Sequence, residues 1–564
     1  MWALTHSATG LQCAYALVLI AMFVGLARGH ASRFQYIQAF WWALKITVIC
    51  VIILFIMSQF LHDVHSKTEV LQFLIAVTAF AWWGYRYGLG IADGPASVGG
   101  HHRGAVVSIF RPGAEPWWRR RVRAEERPVA GHDAPITLAG IAVAPEDETK
   151  HFKFIGTTGT GKSTAIREML SAALARGDRA VIADPDGGYL RDFYNPARGD
   201  VILNPFDPDS VKWSLLGEIA NDYDVDQLAR SLIPDSGGSD RVWSGYARTF
   251  FTAVVQRIVE GHITDDNEIY RLVTQGTLKE LKLMLADTAA GPFLEEANDK
   301  MFGSVRSVTS SAIGALKYTV RQRATPFSVR GWVRQGAAVK NGGRGGVLFL
   351  PYKAGEIAAL RSSISAWMRL AIFEAMNRDE GDQRLWFVVD ELDALGEIDG
   401  LKDALARLRK FGGRCLLGLQ SISQASSTYG RGVADTIVEN CGNSLILRCS
   451  ASELGGTSLF ASRLIGQREV VHLSESSTWQ QGQQGVSRTI NQQRSIEPAV
   501  MASEIERLPD LQGFLKFASI PDWLQVSLTY VKYPAIDRPN RAAAERGARQ
   551  LRATGAQSNV DRRG

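Results

Sequence analysis

The sequence is poor in cysteine and contains no evident internal repeat. Its 564 residues include five cysteines, and none of their spacings forms a C-x-x-C pair or a set of metal ligands. This argues against a disulfide-stapled scaffold or a structural zinc site. We expect buried free thiols of a reducing compartment. The five are Cys13, Cys50, Cys415, Cys441 and Cys449.

Charged residues are scarce in the first hundred positions, which we interpret as a transmembrane region. The second of its three apolar segments is long enough to span a bilayer alone, whereas the other two are near the lower limit. A two-span arrangement therefore stays open. No basic stretch precedes the first segment, which argues against a signal peptide. Arginines flanking the first and third segments predict an outside amino terminus and a cytoplasmic body. The segments are 11–27, 37–61 and 70–85.

Three later stretches have biased composition. Residues 116–123, Pro-Trp-Trp-Arg-Arg-Arg-Val-Arg, form a basic and aromatic cluster that could hold anionic lipid headgroups or, alternatively, DNA. The tract 474–494 is rich in Gln, Ser and Gly without an apolar period, and it predicts a mobile loop. Residues 536–564 predict a basic, flexible tail.

The strongest motif is a phosphate-binding loop. An apolar strand at 151–155 leads into Gly156, Thr157, Thr158, Gly159, Thr160, Gly161, Lys162, Ser163 and Thr164, and then into a helical pattern. The glycines let backbone amides converge on phosphate oxygens at the start of a helix. Lys162 would reach the β- and γ-phosphates, and the Ser163 hydroxyl would ligate Mg²⁺. The motif therefore predicts that the phosphates of a nucleotide are bound together with Mg²⁺.

Strands and helices alternate around this motif, which predicts an α/β fold with a buried parallel sheet. Strand patterns disappear between Trp213 and Arg323, where helical spacing dominates, so we expect an all-α domain inserted at 213–323. The nucleotide-binding domain then comprises 101–212 and 324–535. Segment 305–323 carries four cations, a surface suited to a phosphate backbone or an ordinary solvated helix face.

A second motif supports nucleotide hydrolysis. An apolar strand pattern that begins at Arg384 ends in Asp390 and Glu391. Asp390 would hold Mg²⁺, directly or through water, and Glu391 would polarise the attacking water. A later strand ends in Gln420, which could sense the γ-phosphate or be a simple surface amide.

These features together resemble the type IV secretion coupling proteins, in the TraD/TrwB branch that serves bacterial conjugation. The resemblance spans about residues 100–535 and includes the phosphate loop, the helical insertion, Asp390-Glu391-Leu and the stretch from Arg409 to Gln420. It implies a RecA-like P-loop ATPase, a hexamer in the bacterial inner membrane, multi-pass, with its ATPase body in the cytoplasm. Such a protein receives the relaxase–DNA complex and helps drive single-stranded DNA into the secretion channel.

The resemblance also suggests residues that act across a subunit boundary. Arg409 matches a position proposed as an arginine finger, and Arg448 is a second candidate because it lies at a strand end. The loop 62–69 is shorter than the periplasmic region of relatives, and the tail is short and basic. The resemblance therefore does not imply the family's contacts at these two places.

Two functions of different classes follow. The first is a motor whose hydrolysis at subunit interfaces moves single- or double-stranded DNA with little sequence preference. The alternative is a nucleotide-switched membrane receptor that recruits protein substrates without pumping DNA. An FtsK-like chromosome translocase would share the chemistry, but the sequence shows no winged-helix pattern at its carboxyl end.

Overall fold

The computed structural model describes residues 100–110, 135–235, 240–336, 346–377, 384–452, 455–479 and 486–534, and singly Ile20, Val24 and Trp82. The predicted membrane segments, the cluster at 116–123 and the tail at 536–564 otherwise lie outside these residues. Within the part of the chain that is described, no helix is both long and apolar enough to cross a bilayer.

The described residues form seventeen strands. In chain order they are β1 (Gly100–Gly104), β2 (Val107–Ile109), β3 (Thr137–Leu138), β4 (Ile141–Ala142), β5 (Phe152–Ile155), β6 (Arg179–Pro185), β7 (Val201–Ile202), β8 (Lys212–Trp213), β9 (Pro326–Phe327), β10 (Val347–Tyr352), β11 (Leu385–Val389), β12 (Gly413–Leu419), β13 (Asn443–Ile446), β14 (Gln467–Trp479), β15 (Val486–Pro498), β16 (Gln512–Lys516) and β17 (Trp523–Ser527).

The helices occupy the amphipathic segments between them. They are α1 (Pro145–Glu148), α2 (Lys162–Arg176), α3 (Gly188–Phe193), α4 (Asp222–Leu232), α5 (Asp240–Glu260), α6 (Asp266–Gln275), α7 (Leu278–Leu285), α8 (Asp299–Ala312), α9 (Leu316–Val320), α10 (Val329–Gln335), α11 (Ile357–Met376), α12 (Leu401–Leu408), α13 (Ile422–Tyr429), α14 (Arg431–Asn440), α15 (Gly456–Ile465) and α16 (Ala502–Glu506).

Ten strands form one mixed sheet in the order β2-β17-β16-β13-β5-β12-β11-β6-β10-β7. The strands from β13 to β7 in this order run parallel, and β16 is antiparallel to both β13 and β17. The predicted α/β fold is therefore confirmed. Because the carboxyl ends of parallel strands meet at one edge, the loops after β5, β6, β11, β12 and β13 are brought together there.

Both faces of this sheet are covered, which explains the continuous apolar runs. On β11, Phe387 and Val389 belong to one buried cluster, whereas Trp386 and Val388 belong to another on the opposite face. Helix α2 packs into the second cluster through residues such as Ile166, and α11 packs into the first. The sheet is thus a rigid support for the loops at its carboxyl edge.

The section from α4 to α9 is helical, with short 3-10 turns. Capping boxes start α4 and α7, with Asn221 and Thr277 as the capping residues. Phe250 of α5 packs edge-on against Phe302 of α8 at 5.2 Å between ring centroids. The short strands β8 and β9 pair in parallel where the chain leaves and re-enters this section.

Residues 100–104 and 467–498 belong to a separate compact unit. Its described residues form the three-stranded sheet β1-β14-β15, in which β14 and β15 pair over thirteen residues. The prediction of a mobile loop at 474–494 was wrong, because most of that tract forms these two strands. A hairpin ladder is made by backbone N–H and C=O groups, so polar side chains do not prevent it. The described residues within 105–466 and 499–534 form the larger unit.

Candidate active site

The phosphate loop, residues 156–164, joins β5 to α2. Gly159 and Gly161 have φ values of +80° and +118°, which side chains with a Cβ rarely adopt. A Cβ on Gly156 would lie 2.9 Å from the Leu447 Cβ. Glycine is therefore required at these positions by backbone conformation and by close packing.

Neighbouring segments hold the loop in place through its backbone. The Thr157 N–H donates to the Arg448 carbonyl at 2.9 Å, and the Leu511 N–H donates to the Thr160 carbonyl at 2.9 Å. Within the loop, the Thr160 hydroxyl donates to the Thr157 carbonyl at 2.7 Å. These bonds fix the loop against the strand ends, so little reorganisation is needed to bind an anion.

Lys162, the first residue of α2, is buried in the loop. Its Nζ donates to the carbonyls of Gly156 at 2.5 Å and Thr157 at 3.0 Å. Burial lowers the pKa of Lys162, and the nearby carboxylates of Asp390 and Glu391 oppose this shift. The ammonium lies within the loop that precedes α2, and its charge and the dipole of that helix N-terminus both favour an anion there.

Ser163 meets the second motif directly. Its hydroxyl donates to Asp390 Oδ2 at 2.6 Å, and the Tyr189 hydroxyl donates to the same oxygen at 2.8 Å. The other oxygen, Asp390 Oδ1, is buried and has no hydrogen-bond partner among the described residues. A buried carboxylate oxygen is costly to leave without a partner, so this atom is suited to accept a cation or its bound water.

The donor set fits Mg²⁺ bound together with a nucleotide. Mg²⁺ in such sites keeps several waters and takes one or two protein ligands in addition to phosphate oxygens. Ser163 and Asp390 supply that number. A cage of three or more His, Cys, Asp or Glu side chains is absent from the described residues. We therefore expect the metal to bind with the nucleotide rather than by itself.

Glu391 and Gln420 are also brought together at this edge. The Gln420 Nε2 donates to Glu391 Oε1 at 2.5 Å, and the Gln420 Oε1 accepts from the Thr158 hydroxyl at 3.2 Å. Burial raises the pKa of Glu391, as do the neighbouring carboxylates of Asp390 and Asp393. Gln420 is thus bonded to both the phosphate loop and the carboxylate expected to act as base.

Arg448 contributes through two different groups. Its backbone carbonyl accepts from the Thr157 hydroxyl at 3.2 Å as well as from the Thr157 amide. Its guanidinium forms an ion pair with Asp510 at 2.6 Å and donates to the Leu508 carbonyl at 3.3 Å. The backbone of Arg448 therefore supports the loop, while its side chain is held by the segment before β16.

Arg409 lies in a 3-10 turn that follows α12 and precedes β12, and it is exposed. The phosphate loop follows the carboxyl end of β5, which runs parallel to β12. Because β12 has seven residues, its two ends are separated by roughly 20 Å. Arg409 is therefore at the opposite edge of the sheet from the phosphate loop of its own chain.

Two groups near the site were not among the predicted site residues. Tyr189, buried in α3, could be recognised only after β6 and β11 were known to be neighbours. Asp184, at the end of β6, accepts from the backbone amides of Tyr189 at 3.0 Å and Leu190 at 2.7 Å. Burial raises its pKa to about 7. In the sequence, Asp184 could have been found as a site residue from its position at the end of an apolar strand.

The four cations of segment 305–323 differ in their surroundings: one is hydrogen-bonded to the protein backbone, and the other three are exposed. Arg306 donates to the Val273 carbonyl at 3.0 Å and helps hold α8 against α6. Lys317, Arg321 and Arg323 are exposed on α9 and the turn after it. The exposed three are available to a polyanion, whereas Arg306 has a structural contact.

The chain matches known proteins over most of its length. Residues 135–529 match the family model described as the type IV secretion-system coupling protein DNA-binding domain. The coupling protein TraD of Escherichia coli (strain K12) is 28% identical over 411 residues, which is 72% of this chain and 56% of TraD. The chain thus spans little more than half of that relative.

Solved structures of the plasmid coupling protein TrwB are also similar. An unbound form, TrwBdeltaN70, is 29% identical, with a TM-score of 0.66 over 78% of this chain and 96% of that structure. The complex with the ATP analogue ADPNP is 28% identical, with a TM-score of 0.66 over 79% of this chain and 98% of that structure. The complex with ADP and Mg²⁺ is 27% identical, with a TM-score of 0.65, over 78% and 96%.

The predicted resemblance is confirmed by these matches, and the mixed α/β sheet with its phosphate loop agrees with them. This chain belongs to the family of type IV secretion-system coupling proteins.

Proposed function

We propose that this chain is the coupling ATPase of a conjugative type IV secretion system. It links a relaxase–DNA complex to the secretion channel and drives single-stranded DNA transfer by ATP hydrolysis. The observation that carries the proposal is the contact of Ser163 with Asp390, beside Glu391 and Gln420, at one phosphate loop. The TrwB complexes with ADPNP and with ADP and Mg²⁺ support ATP and Mg²⁺ as the ligands of this loop.

Each site residue then has a chemical role. The loop amides and Lys162 bind the phosphates, and Ser163 with Asp390 holds Mg²⁺, which supplies charge neutralisation on the phosphate oxygens. Glu391 accepts the proton of the attacking water. Burial raises the pKa of Glu391, so its carboxylate accepts a proton more readily than that of an exposed glutamate. Gln420 orients Glu391 through one hydrogen bond and links it to the phosphate loop through a second hydrogen bond, to Thr158.

The site would be completed by another subunit. Arg409 is exposed at the far edge of the sheet, so it can approach a γ-phosphate only in a neighbouring chain. We propose a RecA-like ring, a hexamer, in which this finger stabilises the transition-state charge. Arg448 could take the same role only if its ion pair with Asp510 opened.

The remaining parts of the chain are assigned to membrane anchoring and DNA contact. We propose that the apolar segments within residues 1–100 anchor the protein in the bacterial inner membrane, with the ATPase body in the cytoplasm. The helical section 213–323 would contact DNA through its exposed Lys317, Arg321 and Arg323, with little sequence preference. The family description as a DNA-binding domain supports a motor over a receptor that recruits only proteins.

The test is the ATPase rate of the purified chain with and without single-stranded DNA of several sequences. We expect DNA to stimulate hydrolysis regardless of sequence, and Lys162→Ala to abolish both basal and stimulated rates. Hydrolysis that is insensitive to DNA, together with retained binding to a secreted protein, would favour the receptor instead.

A further inference from the structure

A buried cluster of four charged side chains lies at the amino edge of the sheet, where the parallel strands begin, opposite the phosphate loop. It consists of Glu148 in α1, Arg176 at the end of α2, Asp178 just before β6 and Arg414 in β12. The exposed fraction of each side chain is 7% or less. A buried ion pair gives little net stability compared with apolar packing, so stability alone does not account for the cluster.

Glu148 joins two arginines that come from different elements. The Arg176 guanidinium donates to both carboxylate oxygens of Glu148, each at 2.9 Å, which is a bidentate arrangement. Arg414 Nε donates to Glu148 Oε2 at 2.9 Å. Asp178 completes the cluster by accepting from Arg176 at 2.6 Å and from the Trp386 indole at 2.8 Å. One carboxylate thereby connects the end of α2 to the start of β12.

Arg414 also holds the turn that contains Arg409. Its Nη1 donates to the Gly412 carbonyl at 2.6 Å. Gly412 has a φ of +71°, and its N–H donates to the Arg409 carbonyl at 3.2 Å, which closes the turn. A Cβ on Gly413 would collide with the Leu408 side chain, so the turn packs closely against the end of α12. The position of the Arg409 turn therefore depends on the Arg414 guanidinium.

Helix α2 connects this cluster to the phosphate loop. It runs from Lys162, which donates to the loop carbonyls, to Arg176, which binds Glu148. Its fifteen residues span about 21 Å. Strand β12 runs between the same two edges, with Arg414 near its start and Gln420 directly after its end. Rigid elements that are fixed at both ends carry a displacement from one edge of the sheet to the other.

We propose that Arg414, held by Glu148, is a positioning residue for the Arg409 finger. The contact of Glu148 with Arg176 couples that finger to the phosphate loop of its own chain. Hydrolysis in one subunit would then depend on the nucleotide bound by the neighbour that supplies its finger. The inference rests on the proposed function, because it assumes that Arg409 completes the site of a neighbouring chain.

The main test variant is Arg414→Lys in the full chain. Lysine keeps the positive charge beside Glu148 but lacks the planar fork that reaches Glu148 and Gly412 together. We expect the ATPase rate to fall between about tenfold and a hundredfold, because a displacement of about 1 Å at a catalytic group has effects of this size. The affinity for a non-hydrolysable ATP analogue should be unchanged, since the phosphate loop lies at the other edge. Glu148→Gln, which weakens the same contact from its other side, should behave alike.

Arg198→Lys is the matched control. Arg198 pairs with the buried Asp200 at 2.7 Å and donates to the Phe193 carbonyl at 2.8 Å, so it makes the same two kinds of contact. It precedes β7, which lies four strands along the sheet from β12. Arg198→Lys should keep the wild-type ATPase rate.

Amide hydrogen exchange tests the position of the turn without measuring activity. In Arg414→Lys we expect the amides of residues 409–412 to exchange about tenfold faster than in wild type, because the turn loses the bond to Gly412. Exchange in the phosphate loop should be unchanged, and Arg198→Lys should match wild type in both places.

Mixing experiments separate positioning of the finger from a general structural role. Arg414→Lys has an intact phosphate loop and a misplaced finger, so adding Lys162→Ala, which has an intact Arg409 turn, should restore hydrolysis. Adding Arg409→Ala should leave the low rate, because neither protein then supplies a working finger. The mixture of Arg409→Ala with Lys162→Ala is the reference for full rescue.

Four results would overturn the positioning role. They are wild-type rates or unchanged exchange of the turn in both Arg414→Lys and Glu148→Gln, loss of nucleotide affinity in parallel with the rate, an equal loss in Arg198→Lys, and no rescue of Arg414→Lys by Lys162→Ala although the reference mixture is active. If the reference mixture itself stayed inactive, the shared site of the proposed function would fail, and the role of Arg414 would fail with it.

Discussion

Gln420 donates a hydrogen bond from Nε2 to Glu391 Oε1 at 2.5 Å, while its own carbonyl accepts from the Thr158 hydroxyl. The amide thereby fixes the orientation of the expected general base relative to the phosphate loop. Loss of a phosphate contact at Thr158 would be transmitted to Glu391 through this one side chain. We therefore propose that Gln420 is a positioning residue with a sensing role.

Gln420→Ala should therefore lower the ATPase rate about tenfold. This is less than the rate enhancement that a general base itself contributes, because the amide only orients Glu391. ATP affinity should be nearly unchanged, because the amide contacts the loop only through Thr158. Steady-state kinetics would show a fall in kcat with little change in KM. Gln424→Ala, at an exposed glutamine on the next helix, is the matched control and should behave as wild type.

Glu391→Gln should bind ATP and fail to hydrolyse it, with a rate at least about a hundredfold lower. The substitution keeps the size of the side chain and removes its ability to accept a proton. Recovery of unhydrolysed ATP from the protein after gel filtration would measure this. Normal turnover by the variant would mean that Glu391 is not the base.

The exposed cations of the helical section should account for part of DNA binding. Lys317, Arg321 and Arg323, changed together to Ala, should reduce the salt dependence of single-stranded DNA binding by about 2 in log–log slope. Lys279→Ala with Lys282→Ala, on α7, is the matched control. An unchanged slope in the triple variant would mean that these three cations form an ordinary solvated helix face and do not bind DNA.

His151, just before β5, predicts a specific acid sensitivity. Its Nδ1 accepts from the Cys415 amide at 3.1 Å, so its Nε2 donates to the Leu405 carbonyl at 2.9 Å. Burial lowers the pKa of His151 from 6.5 to about 4, and the charges of Arg409 and Arg414 act in the same direction. A protonated ring would also turn an N–H towards the Cys415 amide.

The unfolded chain therefore binds a proton at His151 that the folded chain excludes between pH 6.5 and 4. Stability is fully present above pH 6.5 and is lost as the pH falls through this window. Relative to His151→Asn, wild type should lose about 3 kcal/mol of unfolding free energy between pH 7 and 4. Asn tolerates the left-handed backbone at this position.

Chemical denaturation at a series of pH values would measure the difference. His262 is exposed and also has a positive φ, 52°. His262→Asn should therefore show the same pH dependence of unfolding free energy as wild type. Parallel stability curves for wild type and His151→Asn would contradict the assignment.

The sequence was sufficient for features that depend on local pattern. Apolar strands that end in Gly156 or Asp390 indicated a buried parallel sheet with functional groups at its carboxyl edge, and the structure has such a sheet. Contacts that depend on strand order could not be predicted in this way. Tyr189 reaches Asp390 because β6 and β11 are neighbours, and no spacing in the sequence encodes that.

The other differences have similar causes. The tract 474–494 lacked an apolar period, yet β14 and β15 are held by a backbone ladder that needs none. Arg448 was selected for its side chain, whereas its carbonyl is the group that contacts the phosphate loop. Both the β14–β15 pairing and the Arg448 contact are made by main-chain groups. The pattern of side chains in a sequence carries little information about such hydrogen bonds.

The central claim is that the hydrolytic site is shared between subunits, with Arg409 acting on the phosphate loop of a neighbour. The most direct measurement is the ATPase rate of mixtures of two inactive proteins, Arg409→Ala and Lys162→Ala. In a mixed ring, an intact loop from the first meets an intact Arg409 from the second, so activity should reappear on mixing and depend on total protein concentration. If every mixing ratio stays inactive while mixed rings form, Arg409 does not complete a neighbouring site.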